Sequence, residues 1–204
     1  PSSAASDVYK RQTSVSIEFG IKHELTPKLN VSMVYFREKL KDEINGFAST
    51  DQPGVSTAVN LEGTSHRKGL ELSLTANPLE RLNVTANYSH VDSKQPASDA
   101  NRELRVPKNT ANFIADFALI PNTSHLNLKV NYVGEQIDTD FGVSPSVRRA
   151  LDDYTLVSLA GNYKINQFMS IEGRIENLLD EDYVDVIGYE TQGRRGFVGI
   201  NFSL

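Results

Sequence analysis

Along most of this chain apolar and polar residues alternate with a period of two, and no helical stripe competes with that rhythm. From Leu126, apolar side chains fall at Leu126, Leu128, Val130 and Tyr132, with Asn127, Lys129 and Asn131 between them. Successive strand side chains point to opposite faces, so such a run has one apolar and one polar face. The pattern returns in Val15, Ile17, Phe19 and Ile21, in Leu70, Leu72 and Leu74, and in Leu82, Val84, Ala86 and Tyr88. It returns again in Met169, Ile171 and Ile175. About nine strands emerge, most near the ~9–11 residues that cross a bilayer when tilted.

The connections alternate too. Short turns are predicted near 26–28, 77–81, 120–124 and 166–167. Between them lie longer polar segments, 46–54, 92–103, 139–152 and 177–193, holding Gly, Pro, Ser and Asp, the residues of turns and loops. Short–long alternation is what outer-membrane barrels show, with tight periplasmic turns and long extracellular loops. No stretch approaches the ~18–20 consecutive apolar residues of a membrane helix. A barrel strand shows only one face to lipid, so its average hydropathy stays low. The net charge of -5 argues against nucleic acid as a partner, because phosphates select a basic face. The absence of cysteine excludes a disulfide framework and a thiolate metal site.

Alternation alone also fits a soluble β-sandwich or a lipocalin-like binding module, with the apolar face turned inward. Two details favour a transmembrane barrel. The polar faces carry Asn, Ser, Thr and charges of both signs, which suits a wet lumen. The apolar faces often end in Tyr35, Tyr88, Tyr132 and Tyr163, which suits an interfacial girdle. Residues 1–12 are small, polar and patternless, without the apolar core of a signal peptide. We read them as a non-native or disordered tail, and 13–204 as barrel. The final run of Val198, Ile200, Phe202 and Leu204 keeps an apolar face to the last residue. A barrel closes by pairing its last strand with its first, leaving no edge in lipid. The ending is similar to the strand read by the barrel-assembly machinery, with Leu204 where an aromatic is usual and Phe202 two before it. An odd strand count, where bacterial barrels are even, and the lack of a leader lead us to expect a barrel portion whose N-terminal region lies elsewhere.

Beyond pattern, specific words occur in order. They are Asp153-Tyr154-Thr155-Leu156-Val157, then Ile175-Glu176-Asn177-Leu178-Leu179-Asp180-Glu181-Asp182-Tyr183, then Gly188-Tyr189-Glu190-Thr191-Gln192-Gly193-Arg194-Arg195. Asn60-Leu61-Glu62-Gly63 with Lys68-Gly69-Leu70-Glu71-Leu72, and Arg105-Val106-Pro107, precede them. Together they resemble the C-terminal part of TonB-dependent outer-membrane receptors. The resemblance runs from about residue 13 onward, and 188–194 looks closest to the cobalamin and catecholate-siderophore receptors. It implies an all-β, antiparallel, up-and-down transmembrane barrel, of which this chain holds about nine C-terminal strands out of 22. It implies a plug in the lumen and energy delivered by TonB through an N-terminal region outside this chain. The implied ligand is a scarce nutrient such as a ferric siderophore or cobalamin. The chain would then supply barrel wall and extracellular loops, embedded in outer-membrane lipid. A passive porin or channel and a soluble binding module stay open as alternatives.

Asn177, Asp180 and Tyr183, and with them Gly188, Gly193 and Arg194, read as architectural. Asn and Asp favour local side-chain-to-backbone bonds that shape a strand-to-loop transition. Arg194 is expected to pair with Glu172 or Glu176, and Tyr183 to pack at the rim. Asp138, Asp140, Asp152 and Asp153 flank one loop without EF-hand order, and read as solvated loop charge. His23, His66, His90 and His125 are scattered, with no pair at metal spacing. No nucleophile–base constellation or phosphate-binding glycine loop is visible, so we expect no enzyme, metal or cofactor. Ligand contacts should use long loops on a rigid scaffold; the candidates are Phe47, Phe141, Arg148 and Tyr189.

Overall fold

The computed structural model describes residues 10–49, 56–96 and 102–203, with the backbone alone for 45–49. Residues 1–9 of the expected tail, the Phe47 side chain and Leu204 lie outside the described residues. All described regular structure is β. Nine antiparallel strands form one sheet. They are β1 (Thr13–Thr26), β2 (Leu29–Lys41), β5 (Thr64–Leu79), β6 (Leu82–Lys94), β7 (Asn109–Ile120), β8 (Ser124–Val133), β11 (Tyr154–Lys164), β12 (Met169–Glu176) and β13 (Arg195–Phe202), side by side in chain order. Two ribbons stand apart from the sheet, β3 (Ile44–Ser49) with β4 (Ser56–Asn60), and β9 (Gln136–Asp140) with β10 (Val147–Leu151). Among the described residues β1 pairs only with β2 and β13 only with β12, so the sheet they form is open.

Register turns the alternation into surfaces. Ile21, Met33, Leu72, Tyr88, Ala111 and Tyr132 are successive cross-strand partners in one apolar row. Leu74, Ala86, Phe113, Val130 and Val157 make the next. The opposite face carries Ser73, Asn87, Asn112 and Asn131 in one cross-strand row, with Ser73 hydrogen-bonded to Asn87 and Asn112 to Asn131. A one-residue slip would send every apolar side chain to the polar face, so this segregation fixes the register.

Among the described residues, nothing covers the apolar face. No described strand contacts any strand other than its hydrogen-bonded neighbours. Phe19 is 68% exposed, Phe202 73% and Val198 82%. A sandwich would stack a second sheet on that face at about 10 Å. The described residues offer no such second sheet.

Short turns form where expected. Only Pro27 and Lys28 join β1 to β2, and the Lys28 N–H donates to Thr26 Oγ1 at 3.2 Å. Between β7 and β8, Asn122 takes φ +60°, and the Ile120 N–H donates to Ser124 Oγ at 3.2 Å. After β11 the Phe168 N–H donates to Asn166 Oδ1 at 2.8 Å, an Asx turn. The long connections differ from expectation. Parts of 46–54 and 139–152 pair as the two ribbons rather than running as plain loops. Backbone pairing satisfies N–H and C=O groups whatever the side chains are, so polar segments such as Gln136–Asp140 form strands without an apolar alternation.

One glycine is required by packing. A Cβ on Gly69 would sit 2.5 Å from the His90 carbonyl oxygen and 2.6 Å from the Phe36 ring. Phe36 and Gly69 are cross-strand partners on the polar face, so the ring lies over the space that the glycine leaves. This is the glycine of the Lys68-Gly69-Leu70-Glu71 word.

Candidate functional site

The four long connections lie at the same end of the sheet, and their side chains knit them together. Asp138, on β9, has no solvent exposure. Its Oδ1 accepts from Arg105 Nε and from the Thr139 N–H, each at 2.8 Å, and its Oδ2 accepts from the Ile187 N–H at 2.9 Å. Arg105 belongs to the β6–β7 connection and Ile187 to the β12–β13 connection, so one carboxylate ties three separate segments. Burial alone would push the Asp138 carboxyl up. The Ile187 and Thr139 N–H groups and the Arg105 guanidinium outweigh it and hold the carboxyl below its ordinary value. The Arg105 N–H also donates to the Ile137 carbonyl at 2.8 Å.

A second set of bonds runs beside the first. Gln136 Nε2 donates to the Asp185 carbonyl at 3.0 Å, and the Tyr154 hydroxyl donates to Asp185 Oδ1 at 3.0 Å. The Tyr154 and Tyr183 rings are 4.4 Å apart at 35°, so Tyr183 rests on the first residue of β11. Arg102 Nη1 donates to Glu135 Oε1 at 2.9 Å.

On the polar face near this end, Arg67 meets three carboxylates. Its Nε and Nη2 form a two-point pair with Glu103 at 2.8 and 2.5 Å; Nη2 also lies 3.1 Å from Glu43, and Nη1 3.4 Å from Glu38. Burial would raise the Glu103 carboxyl, but the hydrogen bonds from Arg67 and Ser93 hold it below its ordinary value.

The β12–β13 connection is built on the Asn177 word. Asn177 is 6% exposed and takes φ +49°. Its Nδ2 donates to the Glu181 carbonyl at 2.9 Å and its Oδ1 accepts the Glu181 N–H at 2.8 Å. Asp180 Oδ1 accepts the Arg194 N–H at 2.8 Å, and a Cβ on Gly193 would lie 3.2 Å from the same oxygen. Gly188 takes φ +86°, a region that side chains disfavour. Arg194 pairs with Asp180 at 3.5 Å rather than with Glu172 or Glu176. The next residue, Arg195, holds Glu176 at 2.8 Å instead, because it is Arg195 that is the cross-strand partner of Glu176 in the register.

The four candidate ligand residues are not gathered into one cluster. Phe141 and Tyr189 are each 75% exposed, on the β9–β10 ribbon and the β12–β13 connection. Arg148 donates to the Arg102 carbonyl. Phe47 contributes its backbone to the β3–β4 ribbon, opposite Ala58. No hydrogen bond, ion pair or ring contact joins Phe141, Arg148 and Tyr189 among the described residues. Among those residues, no three His, Asp or Glu side chains gather as a metal site. Asp138 and Asp140 are matched instead by Arg105 and by Arg149 at 3.0 Å. Asp138, expected to be solvated loop charge, is instead fully buried. Its partner Arg105 lies 33 residues away, a distance that local pattern does not bridge.

A family model described as TonB dependent receptor-like, beta-barrel, matches residues 2–178. The chain belongs to the TonB-dependent receptor family. The match ends at Leu178, so the words from Leu179 to Arg195 stand outside it. The vitamin B12 transporter BtuB of Vibrio vulnificus (strain YJ016) is 25% identical over 198 residues, covering 95% of this chain and 30% of that protein. Among solved structures, the ferric-catecholate import receptor Fiu of E. coli K12 matches with a TM-score of 0.74 at 19% identity, over 98% of this chain and 29% of Fiu. FpvA of P. aeruginosa, bound to pyoverdines, matches at 0.75 and 18% identity, over 93% of this chain and 27% of FpvA. The fold is thus that of a barrel wall in this family, and the chain spans less than a third of these relatives.

Proposed function

We propose that this chain forms wall and extracellular loops of an outer-membrane receptor that imports a ferric siderophore or cobalamin, driven by TonB. The observation that carries this reading is a sheet whose apolar face is uncovered among the described residues and three of whose four long connections, all at one end, are locked together by Asp138. An uncovered apolar sheet matches a lipid environment, and a latched loop layer gives a ligand a defined rim. BtuB is a vitamin B12 transporter, Fiu a ferric-catecholate import receptor and FpvA a protein solved bound to pyoverdines, which supports trying these ligand classes first. Phe47, Phe141, Arg148 and Tyr189 are the proposed ligand contacts, and TonB would act on a part of the receptor outside this chain. β13, with Val198, Ile200 and Phe202 on its apolar face, is the proposed recognition strand for the barrel-assembly machinery. We propose no enzymatic activity.

The test is uptake of radiolabelled ferric siderophores and cobalamin by cells that carry the complete receptor, with and without TonB. The expected result is uptake of one ligand class that vanishes without TonB and weakens in Tyr189→Ala and Phe141→Ala. Uptake that persists without TonB and ignores ligand identity would establish a passive channel instead.

A further inference from the structure

The apolar face changes character abruptly at its loop end. On β2, Val31, Met33 and Tyr35 are followed on the same face by Arg37, Lys39 and Lys41. On β5, Leu74, Leu72 and Leu70 are followed by Lys68 and His66, and on β6 the face ends with Asp92 and Lys94. Register makes these residues direct neighbours. Arg37 is opposite Lys68, Lys39 is opposite His66, and His66 is opposite Lys94. Five cations, Arg37, Lys39, Lys41, Lys68 and Lys94, thus share a small rim with one carboxylate, Asp92, on a chain of net charge -5.

Like charges directly opposite on a sheet are destabilising, and within this rim only Lys68 finds a counter-charge. Lys68 reaches Asp92 at 3.5 Å while staying 60% exposed. Arg37, Lys39, Lys41 and Lys94 form no side-chain hydrogen bond or ion pair among the described residues. The opposite face at the same level behaves otherwise: Arg67, between His66 and Lys68 in sequence, is met by Glu38, Glu43 and Glu103. Arg67 on the polar face is matched within the chain, whereas Arg37, Lys39, Lys41 and Lys94 on the apolar-face rim are left for something outside it.

We propose that this rim docks phosphorylated lipid headgroups, with the acyl chains lying on the apolar rows below. The inference rests on the membrane reading given above. Charge and position select the occupant. A ligand that places an anionic head level with Arg37–Lys68 and a hydrocarbon tail against Tyr35, Leu70 and Leu72 is an anionic lipid. A soluble anion would use only the upper half of the surface.

The experiment uses the complete receptor in neutral detergent, titrated with phosphatidic acid, phosphatidylcholine of the same chains, or inorganic phosphate. Bound lipid is counted by native mass spectrometry. Phosphatidic acid should bind in preference to the other two, with about a five-fold loss for each cation removed in Lys39→Gln and Lys94→Gln. Lys129→Gln, on the polar face of β8, should leave binding unchanged. Thermal stability without lipid supplies the readout that a structural role would not share. Removing a repelled cation should leave the rim variants at least as stable as the parent, and phosphatidic acid should stabilise the parent more than the variants. Equal binding of the two lipids, displacement by equimolar inorganic phosphate, or a stability loss in both rim variants without lipid would overturn the proposal. Reconstitution into phosphatidylcholine vesicles separates the two readings. Insertion without headgroup preference sinks only the rim site, whereas failure to insert sinks the membrane reading and the rim site with it.

Discussion

At the residue scale the molecule depends on a few groups whose partners lie far away in sequence. Asp138 is the clearest. Replacing it by Ala leaves the Ile187 and Thr139 N–H groups without their acceptor and Arg105 without its counter-charge. We expect a loss of about 1.5–3 kcal/mol in loop-layer stability, the range for hydrogen bonds to a charged group, and not the larger cost of a fully buried pair, because Arg105 stays half exposed. Faster amide exchange at 185–187 would register it; unchanged exchange there would refute the latch. The pH dependence has a definite sign. The Asp138 and Glu103 carboxyls lie below their ordinary values in the folded state. Their contribution is therefore fully present above the unfolded values of about 4 and is lost as pH falls through the lower folded values. Protease resistance of the long connections should hold at pH 5 and fall only under more acid conditions. Gly69→Ala tests the other kind of dependence. Its Cβ meets a backbone oxygen that cannot move aside and a ring packed in place. Overpacking of this sort costs about 1–3 kcal/mol, read as a lower urea midpoint for the folded barrel. An unchanged midpoint would show that Phe36 swings clear.

At the scale of elements, each strand presents two environments one residue apart. Val130 and Asn131 are neighbours on β8, yet Val130 lies in the row with Phe113 and Val157, while Asn131 bonds to Asn112 on the other face. If the apolar rows meet lipid, Val130→Arg should destabilise the barrel by about 2–4 kcal/mol, the cost of that charge deep in the bilayer. Asn131→Arg should cost far less. Equilibrium unfolding from lipid vesicles measures both. Equal costs for the two variants would place water on both faces. The ribbons follow a different rule. β9–β10 pairs through backbone bonds with the Arg149–Asp140 ion pair across it, and β3 meets β4 along its backbone. Latches such as Gln136–Asp185 then set where β9–β10 stands.

At the scale of the whole molecule, the outer strands β1 and β13 each keep an edge that is unpaired among the described residues. Exposed strand edges join other edges in solution, and none is tolerated in lipid. The chain expressed alone is therefore expected to give no monodisperse, protease-resistant species in detergent. A heat-modifiable monomer that withstands protease would contradict this. The chain belongs to the TonB-dependent receptor family and spans less than a third of its relatives' length; in a longer wall, further strands would be the partners for these edges.

Period two was enough to read the nine strands of the main sheet, their two faces and which end holds the short turns, because strand geometry maps sequence parity directly onto faces; it was not enough to read the two ribbons. Asn177 and Asp180 could be singled out from their words, since their hydrogen bonds reach only the next few residues or the far end of one connection. Ladder partners were not legible. The Asp138–Arg105 latch joins residues 33 apart, and the basic rim exists only once register sets Arg37 against Lys68 and His66 against Lys94. The expected Arg194 pairing shifted for the same reason: Arg195, not Arg194, stands across from Glu176. Local alternation decides that a residue faces lipid or lumen. Which residues then stand beside one another depends on how strands slide past each other before hydrogen bonds fix them, and that is settled only by the tertiary structure.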